Sequence, residues 1–198
     1  MLTTQVHSIV IANTDEAIGL ALRMFSLHPE LMVHAHKPGS GFDGENVLHI
    51  LAVNYRHQTL CDVLRLAAAK LDNSLLRVLA ESQANGSFFS GIPMLYYGGS
   101  PLAFAACFDA REALWLMVSH PRLSCFFDLN SNACRRTGFL PLHAVVVSGT
   151  PEGYDHLIDL GADGTLTLGK GAASCLERQG PLLPRATDTP SSAPSSSH

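Results

Sequence analysis

Apolar residues recur at helical spacing along most of the chain. One amphipathic helix is predicted over Asp15–Leu27, where three apolar residues share a face: Ile18, Leu22 and Phe25. Asn13 or Thr14 is placed to cap its first turn, and His28-Pro29 ends it. A further helix is predicted from Leu60 to about Ala80.

Two later stretches show the same spacing. The first apolar stripe consists of Ala110, Ala113, Leu114, Met117 and Val118. Trp115 falls off this stripe, and Pro121 stops the helix. The second stripe consists of Tyr154, Leu157 and Ile158, and Gly161 is placed as its C-terminal cap.

Three segments begin alike, which indicates an internal repeat. They start at Gly44, Gly98 and Gly138, and each continues with a Leu four positions later. Pro precedes that Leu in the second and third segments, and His follows it in the first and third, as His49 and His143. The ankyrin unit has the pattern Gly-x-Thr-Pro-Leu-His-x-Ala at the start of its first helix. Gly161 follows His143 by 18 positions, the offset that an uninterrupted ankyrin unit requires.

The predicted fold is therefore all-α: an ankyrin-repeat solenoid of about three to four helix–turn–helix units with an extended finger loop. The repeat domain is predicted over residues 5–168. Its units lie near residues 5–40, 41–84, 98–130 and 136–168, with the finger at 85–97. Residues 169–198 are rich in Pro and Ser and are predicted to be a disordered tail.

Composition excludes several classes of function. The net charge is −4 with histidine neutral and the basic residues are scattered, so we expect no nucleic-acid binding. Five cysteines without a CxxC spacing predict small buried side chains in a reducing compartment. No window offers about 18 uninterrupted apolar residues, the length of a membrane helix. We expect a cytoplasmic protein without a membrane span, a metal or a cofactor.

The motifs resemble a particular family. Gly86-Ser87-Phe88-Phe89, and the run from Tyr96 to Cys107, are similar to the finger and the following repeat in the cytosolic ankyrin domain of vanilloid-type transient receptor potential (TRP) channels. The resemblance covers about residues 40–163. It implies a short curved stack with long fingers, which lies below a calcium-permeable pore and mediates contacts between subunits. The sequence departs from the family in having no pore helices and fewer than the usual six repeats.

We therefore predict a protein–protein interaction module at the cytosolic face of a membrane, as part, fragment or relative of such a channel. A free-standing cytoplasmic ankyrin scaffold is the alternative. No catalytic constellation accompanies the histidines, so we expect no enzyme activity. The candidate partner-binding residues are aromatic: Phe88, Phe89, Tyr96, Tyr97 and Trp115. The finger is also a candidate for self-association, and core filling is the competing interpretation of its aromatics.

Some members of the family bind ATP on the concave face of the stack. By motif position, the polar Gln that follows the repeat Gly in the family corresponds to Glu45, and a basic residue later in the same helix corresponds to Asn54. Compared with the ATP site of the family, this chain therefore has an additional negative charge at Glu45 and lacks a positive charge at Asn54. Its upstream basic residues, Arg23 and Lys37, do not match the positions of the lysines that complete the site in the family. The resemblance therefore implies weak or absent ATP binding.

Overall fold

The computed structural model describes residues 2–37, 41–86, 98–131, 134, 137–148 and 151–167, and all regular secondary structure within these residues is helical. The elements are α1 (Leu2–Ala12), α2 (Asp15–Leu27), a 3-10 turn (Pro29–Val33), α3 (Val47–Val53), α4 (His57–Lys70), α5 (Asn73–Glu81), α6 (Pro101–Cys107), α7 (Arg111–Ser119), α8 (Pro141–Ser148) and α9 (Pro151–Asp159). The prediction of an all-α protein is confirmed. Most of the predicted finger, residues 87–97, and the whole predicted tail lie outside the described residues.

Eight of these helices form four consecutive pairs, α1/α2, α3/α4, α6/α7 and α8/α9. The first helices of the pairs contact one another in chain order, α1 to α3 to α6 to α8. The second helices α2, α4 and α7 do the same in a second layer. The main contacts of α9 are with α8 and α6. The pairs therefore stack in sequence, and the apolar core runs continuously between the two layers.

The turns inside the first three pairs share one backbone geometry. The residue that reverses the chain has a positive φ angle at Asn13 (55°), Tyr55 (53°) and Asp109 (52°). The backbone N–H of each donates to the carbonyl three residues earlier, at distances of 3.3, 3.0 and 3.3 Å. Because these turns match, they set a common register in which residues of different pairs can be compared position by position.

The predicted helix over Asp15–Leu27 is confirmed at both ends. Thr14 is the N-cap, since its hydroxyl oxygen accepts a hydrogen bond of 3.2 Å from the backbone N–H of Ala17. Ile18 and Phe25 are buried. Helix α1 was not predicted, and it makes the first unit a complete helix pair.

The single helix predicted from Leu60 to about Ala80 is wrong. The helix is interrupted at Leu71, which is the C-cap of α4. Asp72 is the N-cap of α5, and its side chain accepts a hydrogen bond of 2.9 Å from the N–H of Leu75. The carboxylate satisfies an N–H that a continuous helix would have bonded internally, so the break costs little.

The stripe predicted on α9 is only partly correct. Leu157 is fully buried, whereas Tyr154 and Ile158 are 36% and 37% exposed. The predicted cap at Gly161 is confirmed: its φ is 98°, and the N–H of Ala162 donates to the carbonyl of Leu157 at 2.9 Å.

A third layer lies beside the pairs. The 3-10 turn packs on α2, α4 and α5, and α5 also contacts α6. Arg122, in the turn after α7, donates 2.6 Å to the carbonyl of Ala68 and 2.9 Å to that of Leu71. These bonds satisfy carbonyls at the end of α4 that no helical N–H reaches, and they tie the third pair to the second.

Each loop that leads into a new pair closes with a reciprocal backbone pair. His36 donates 2.8 Å to Glu45, and Gly44 donates 3.1 Å back to His36. Ala84 pairs in the same way with Gly98 and Gly99, and Cys134 with Gly138 and Phe139. Gly44 shows why glycine occupies its position, because φ is 79° and an added Cβ would lie 2.0 Å from the carbonyl oxygen of Gln83.

A histidine joins each of three pairs to the loop that follows. His49 lies five residues after Gly44, and His143 lies five residues after Gly138. Nδ1 of His49 accepts 3.1 Å from the N–H of Asn46, and its Nε2 lies 3.1 Å from the carbonyl of Gly99. Nδ1 of His143 likewise accepts 3.1 Å from Leu140, and its Nε2 lies 3.1 Å from the carbonyl of Leu166.

The register places His7 at the same point of the first pair, with Nε2 2.8 Å from the carbonyl of His34. We call this the ladder position; the third pair has Ala103 there. Because Nδ1 of His49 and Nδ1 of His143 accept hydrogen bonds, the bonding proton of each of these two rings is on Nε2, which donates to the loop carbonyl.

His49 and His143, whose two ring nitrogens both have hydrogen-bond partners, should contribute unequally to stability. His49 is fully buried, whereas His143 is partly exposed and water can replace its partners. We expect His49→Ala to lower the free energy of unfolding by about 3 kcal/mol and His143→Ala by about 1 kcal/mol. Urea unfolding followed by far-UV circular dichroism measures both. An equal or larger loss at His143 would contradict this ranking.

Candidate partner-binding surface

Four of the five predicted partner-binding residues, Phe88, Phe89, Tyr96 and Tyr97, lie outside the described residues. The structure describes the base of the segment that carries them. Ala84 and Gly99 form an isolated antiparallel bridge there, and the N–H of Asn85 donates 2.7 Å to the carbonyl of Asp43 in the preceding loop. The entrance to the predicted finger is therefore fixed to the loop of the second pair.

Trp115, the fifth candidate, lies on the outer surface of α7. Four other residues of this helix are buried: Ala113, Leu114, Leu116 and Met117. Trp115 is 53% exposed, in agreement with its place off the predicted stripe. It is also the only tryptophan in the sequence.

Charged side chains of both signs lie one turn before Trp115. Arg65 of α4 reaches Glu112 at 2.5 Å and Asp62 at 3.2 Å. Arg111 holds Asp109 at 2.9 Å. Exposed ion pairs of this kind stabilise a fold by at most about 1 kcal/mol. An exposed aromatic side chain with a polar rim is the arrangement that protein interfaces use for their strongest contacts.

The register explains why Trp115 is exposed. It lies six residues after Asp109, and Cys61 lies six residues after Tyr55. Cys61 is fully buried in the contact between α4 and α7, where burial and the nearby Glu112 raise the pKa of its thiol to about 11. Trp115 thus occupies a position that the next outer helix covers in the preceding pair, and α9 leaves it open.

A second exposed aromatic residue was missed from the sequence. Tyr55, in the turn between α3 and α4, is 68% exposed. Its ring centroid lies 5.7 Å from that of Phe108, in the turn of the next pair, and 5.8 Å from that of His57. The signal that could have found it is the repeat register, because Tyr55 and Asp109 occupy equivalent turn positions.

Glu45 and Asn54, the two residues that the sequence resemblance matched to an ATP site, lie in a different environment from the expected one. Glu45 is 2% exposed, and burial raises the pKa of its carboxyl to about 7. It therefore carries only part of a negative charge at neutral pH. Asn54 is the C-cap of α3, with its backbone N–H bonded to the carbonyls of Ala52 and Ile50. The expectation of weak ATP binding therefore depends mainly on the absence of a basic residue at Asn54, and less on repulsion by Glu45.

Metal coordination has no support among the described residues, where no group of three or more His, Cys, Asp or Glu side chains could hold an ion. His7 and His36 stack with ring centroids 4.1 Å apart. Burial, and then the neighbouring His36, lower the pKa of His7 to about 4, and burial also lowers that of His36. Within the described part of the chain, no helix is long and apolar enough to cross a membrane.

Comparison with protein-family models, with curated proteins and with solved structures found no match to this chain.

Buried groups make stability depend on pH in opposite directions. Burial lowers the pKa of His7 and His49 from 6.5 to about 4, so in this range the unfolded chain binds more protons and acid destabilises the fold. Burial raises the pKa of Glu45 from 4.5 to about 7, so in that range the folded chain binds more protons and base destabilises the fold.

The substitution Glu45→Gln should isolate the contribution of Glu45 to the pH dependence of stability, because the variant and the wild type both keep His7 and His49. We expect the free energy of unfolding of the variant, minus that of the wild type, to increase by about 3 kcal/mol between pH 4.5 and pH 7. Urea unfolding at several pH values measures the difference. A difference that stays constant with pH would show that Glu45 is ionised normally in the folded protein.

ATP should bind weakly if at all. We expect titration calorimetry of the full chain at pH 7 and low salt, where electrostatic attraction is least screened, to give a dissociation constant no tighter than roughly 100 µM. A value in the low micromolar range would contradict the expectation.

Proposed function

We propose that this protein is a protein-binding module of the ankyrin-repeat type. The observation that carries the proposal is the recurrence of one polar arrangement. At two of the three starts, Gly44 and Gly138, a positive-φ glycine is followed five residues later by a histidine whose ring bonds the helix start and the next loop. The stacked helix pairs and the reciprocally bonded loops support the same architecture.

The repeat architecture favours binding over chemistry for a physical reason. Stacked pairs expose extended surfaces of helix and loop side chains, while the buried polar groups are used to hold the pairs together. His49 illustrates this use: it is fully buried, and its ring nitrogens already bond Asn46 and Gly99. Trp115 is the described candidate for contact with a partner.

Within this class, we propose a relationship to the cytosolic ankyrin domain of vanilloid-type TRP channels. The support is the sequence of the third unit, which runs through Ser100-Pro101-Leu102 into Ala105-Ala106-Cys107. On this proposal the protein works at the cytosolic face of a membrane, through contacts with channel subunits. The free-standing scaffold stays the alternative, and the identity of the captured partners distinguishes the two.

Trp115→Ala tests the proposed binding function, with Leu27→Ala as a matched control. Leu27 is 77% exposed on α2, far along the chain from α7, so both variants remove an exposed apolar side chain. Each protein is immobilised, and retained proteins from a cell extract are quantified by mass spectrometry. We expect a set of proteins that wild type and Leu27→Ala retain and Trp115→Ala loses at least fivefold. Identical sets from all three proteins would contradict the role of Trp115.

A further inference from the structure

The outer side of α2 carries exposed apolar and charged side chains in one stripe. Its core side is formed by Ile18, Ala21 and Phe25, which are buried. Helical spacing places five residues together on the opposite side, and we call them the α2 face: Glu16, Gly19, Leu20, Arg23 and Leu27. Leu20 is 41% exposed and Leu27 is 77% exposed.

The repeat register shows that Leu20 is unusual. It lies seven residues after the turn residue Asn13. The same place is taken in α4 by Asp62, which is partly exposed and pairs with Arg65, and in α7 by Leu116, which is only 5% exposed. These two helices thus have a polar residue where the place is open and a leucine where it is covered. Leu20 is a leucine in an open place, and a covering partner accounts for that combination.

Gly19 has no steric requirement within the chain. A Cβ added to it would meet only Nη1 of Arg23, at an ordinary contact distance of 3.9 Å. Alanine would therefore fit, and glycine destabilises a helix interior relative to alanine. A glycine on an exposed helix face lets a second helix approach closely, because no side chain holds the two backbones apart.

Glu16 and Arg23 lie two helical turns apart, on either side of Leu20. Both side chains are exposed, and in the part of the chain that the structure describes neither belongs to an ion pair. The adjacent Asp15, by contrast, is held by Arg56 at 2.7 Å. Seven residues of helix rise by about 10 Å, which is too far for Glu16 and Arg23 to pair with each other.

These two charges make the α2 face complementary to itself in one orientation. If two copies of α2 lie antiparallel, with a two-fold axis near Gly19 and Leu20, Glu16 of each copy lies opposite Arg23 of the other. The leucine of each copy then packs beside the glycine of the other. Parallel helices would instead bring like charges opposite each other, which is unfavourable.

We propose that the α2 face joins two copies of this chain, which pair through antiparallel α2 helices around Gly19 and Leu20. Leu27 lies beyond the start of the partner helix, at the rim of the contact. The contact is small, and interfaces that bury less than about 1,200 Å² are typical of weak complexes. This self-association is independent of the Trp115 surface and uses a place other than the predicted finger.

Sedimentation equilibrium of the full chain at pH 7 and low salt measures the association. We expect a monomer–dimer equilibrium with a dissociation constant of roughly 100 µM, weakened by high salt. Glu16→Arg places arginine opposite arginine, and Arg23→Glu places glutamate opposite glutamate. We expect each variant alone to associate at least fivefold more weakly than wild type, with an unchanged circular dichroism spectrum.

A mixture of the two charge variants tests the antiparallel arrangement. In a mixed pair the introduced arginine faces the introduced glutamate, and the native Glu16 and Arg23 face each other at the second contact. We expect the mixture to associate within twofold of wild type. The matched controls are Glu81→Arg and Arg77→Glu on α5, which change the net charge by the same amounts at exposed positions. Each should associate like wild type, and mixing them should add nothing.

Gly19→Leu separates the contact from the stability of the fold. Leucine favours the helix more than glycine does, so the melting temperature should not fall. Its side chain should hold the partner helix away, and we expect association at least fivefold weaker than that of wild type.

Three outcomes would overturn the proposal. The first is a wild-type chain that stays monomeric up to about 1 mM. The second is a dimer that all three variants of the α2 face leave unchanged, which would place the contact on another surface such as the predicted finger. The third is a mixture of folded charge variants that does not recover association. If either charge variant unfolds, the result for Gly19→Leu decides.

Discussion

The stack depends on a buried neutral imidazole that joins one helix pair to the loop before the next. His49 accepts from the first turn of its own helix and donates to the carbonyl of Gly99, which comes immediately before the N-cap of α6. Burial keeps the ring neutral by lowering its pKa to about 4, and neutrality is what leaves one nitrogen as an acceptor. The bond therefore fixes where the next pair begins.

The third pair shows what happens without a histidine at this point. Ala103 stands at its ladder position, and the ring of Phe104 packs edge-on against His49 at a centroid distance of 4.8 Å. The small side chains of α6 let its neighbours approach closely, so apolar packing replaces the polar bond there. Where packing also ends, at the last pair, apolar side chains become exposed.

The sequence predicted elements whose signals are local. The helix over Asp15–Leu27 has its stripe, its Thr14 cap and a following proline within a few residues, and its bounds are correct. The break at Asp72 was missed because aspartate is tolerated inside a helix, and only the packing of α5 on the 3-10 turn makes its role as a cap visible. The exposure of Tyr154 and the burial of Glu45 depend on contacts between distant segments, which periodicity does not encode.

The central claim is that His49 is a neutral bridge with its proton on Nε2, and nuclear magnetic resonance of its ring nitrogens tests this most directly. The account predicts a single Nε2–H tautomer that persists as the pH falls, with no protonation until about pH 4. It also predicts that the Nε2 proton exchanges slowly with water, because the ring is fully buried. A midpoint near 6.5, with both ring nitrogens averaging between protonation states, would contradict it.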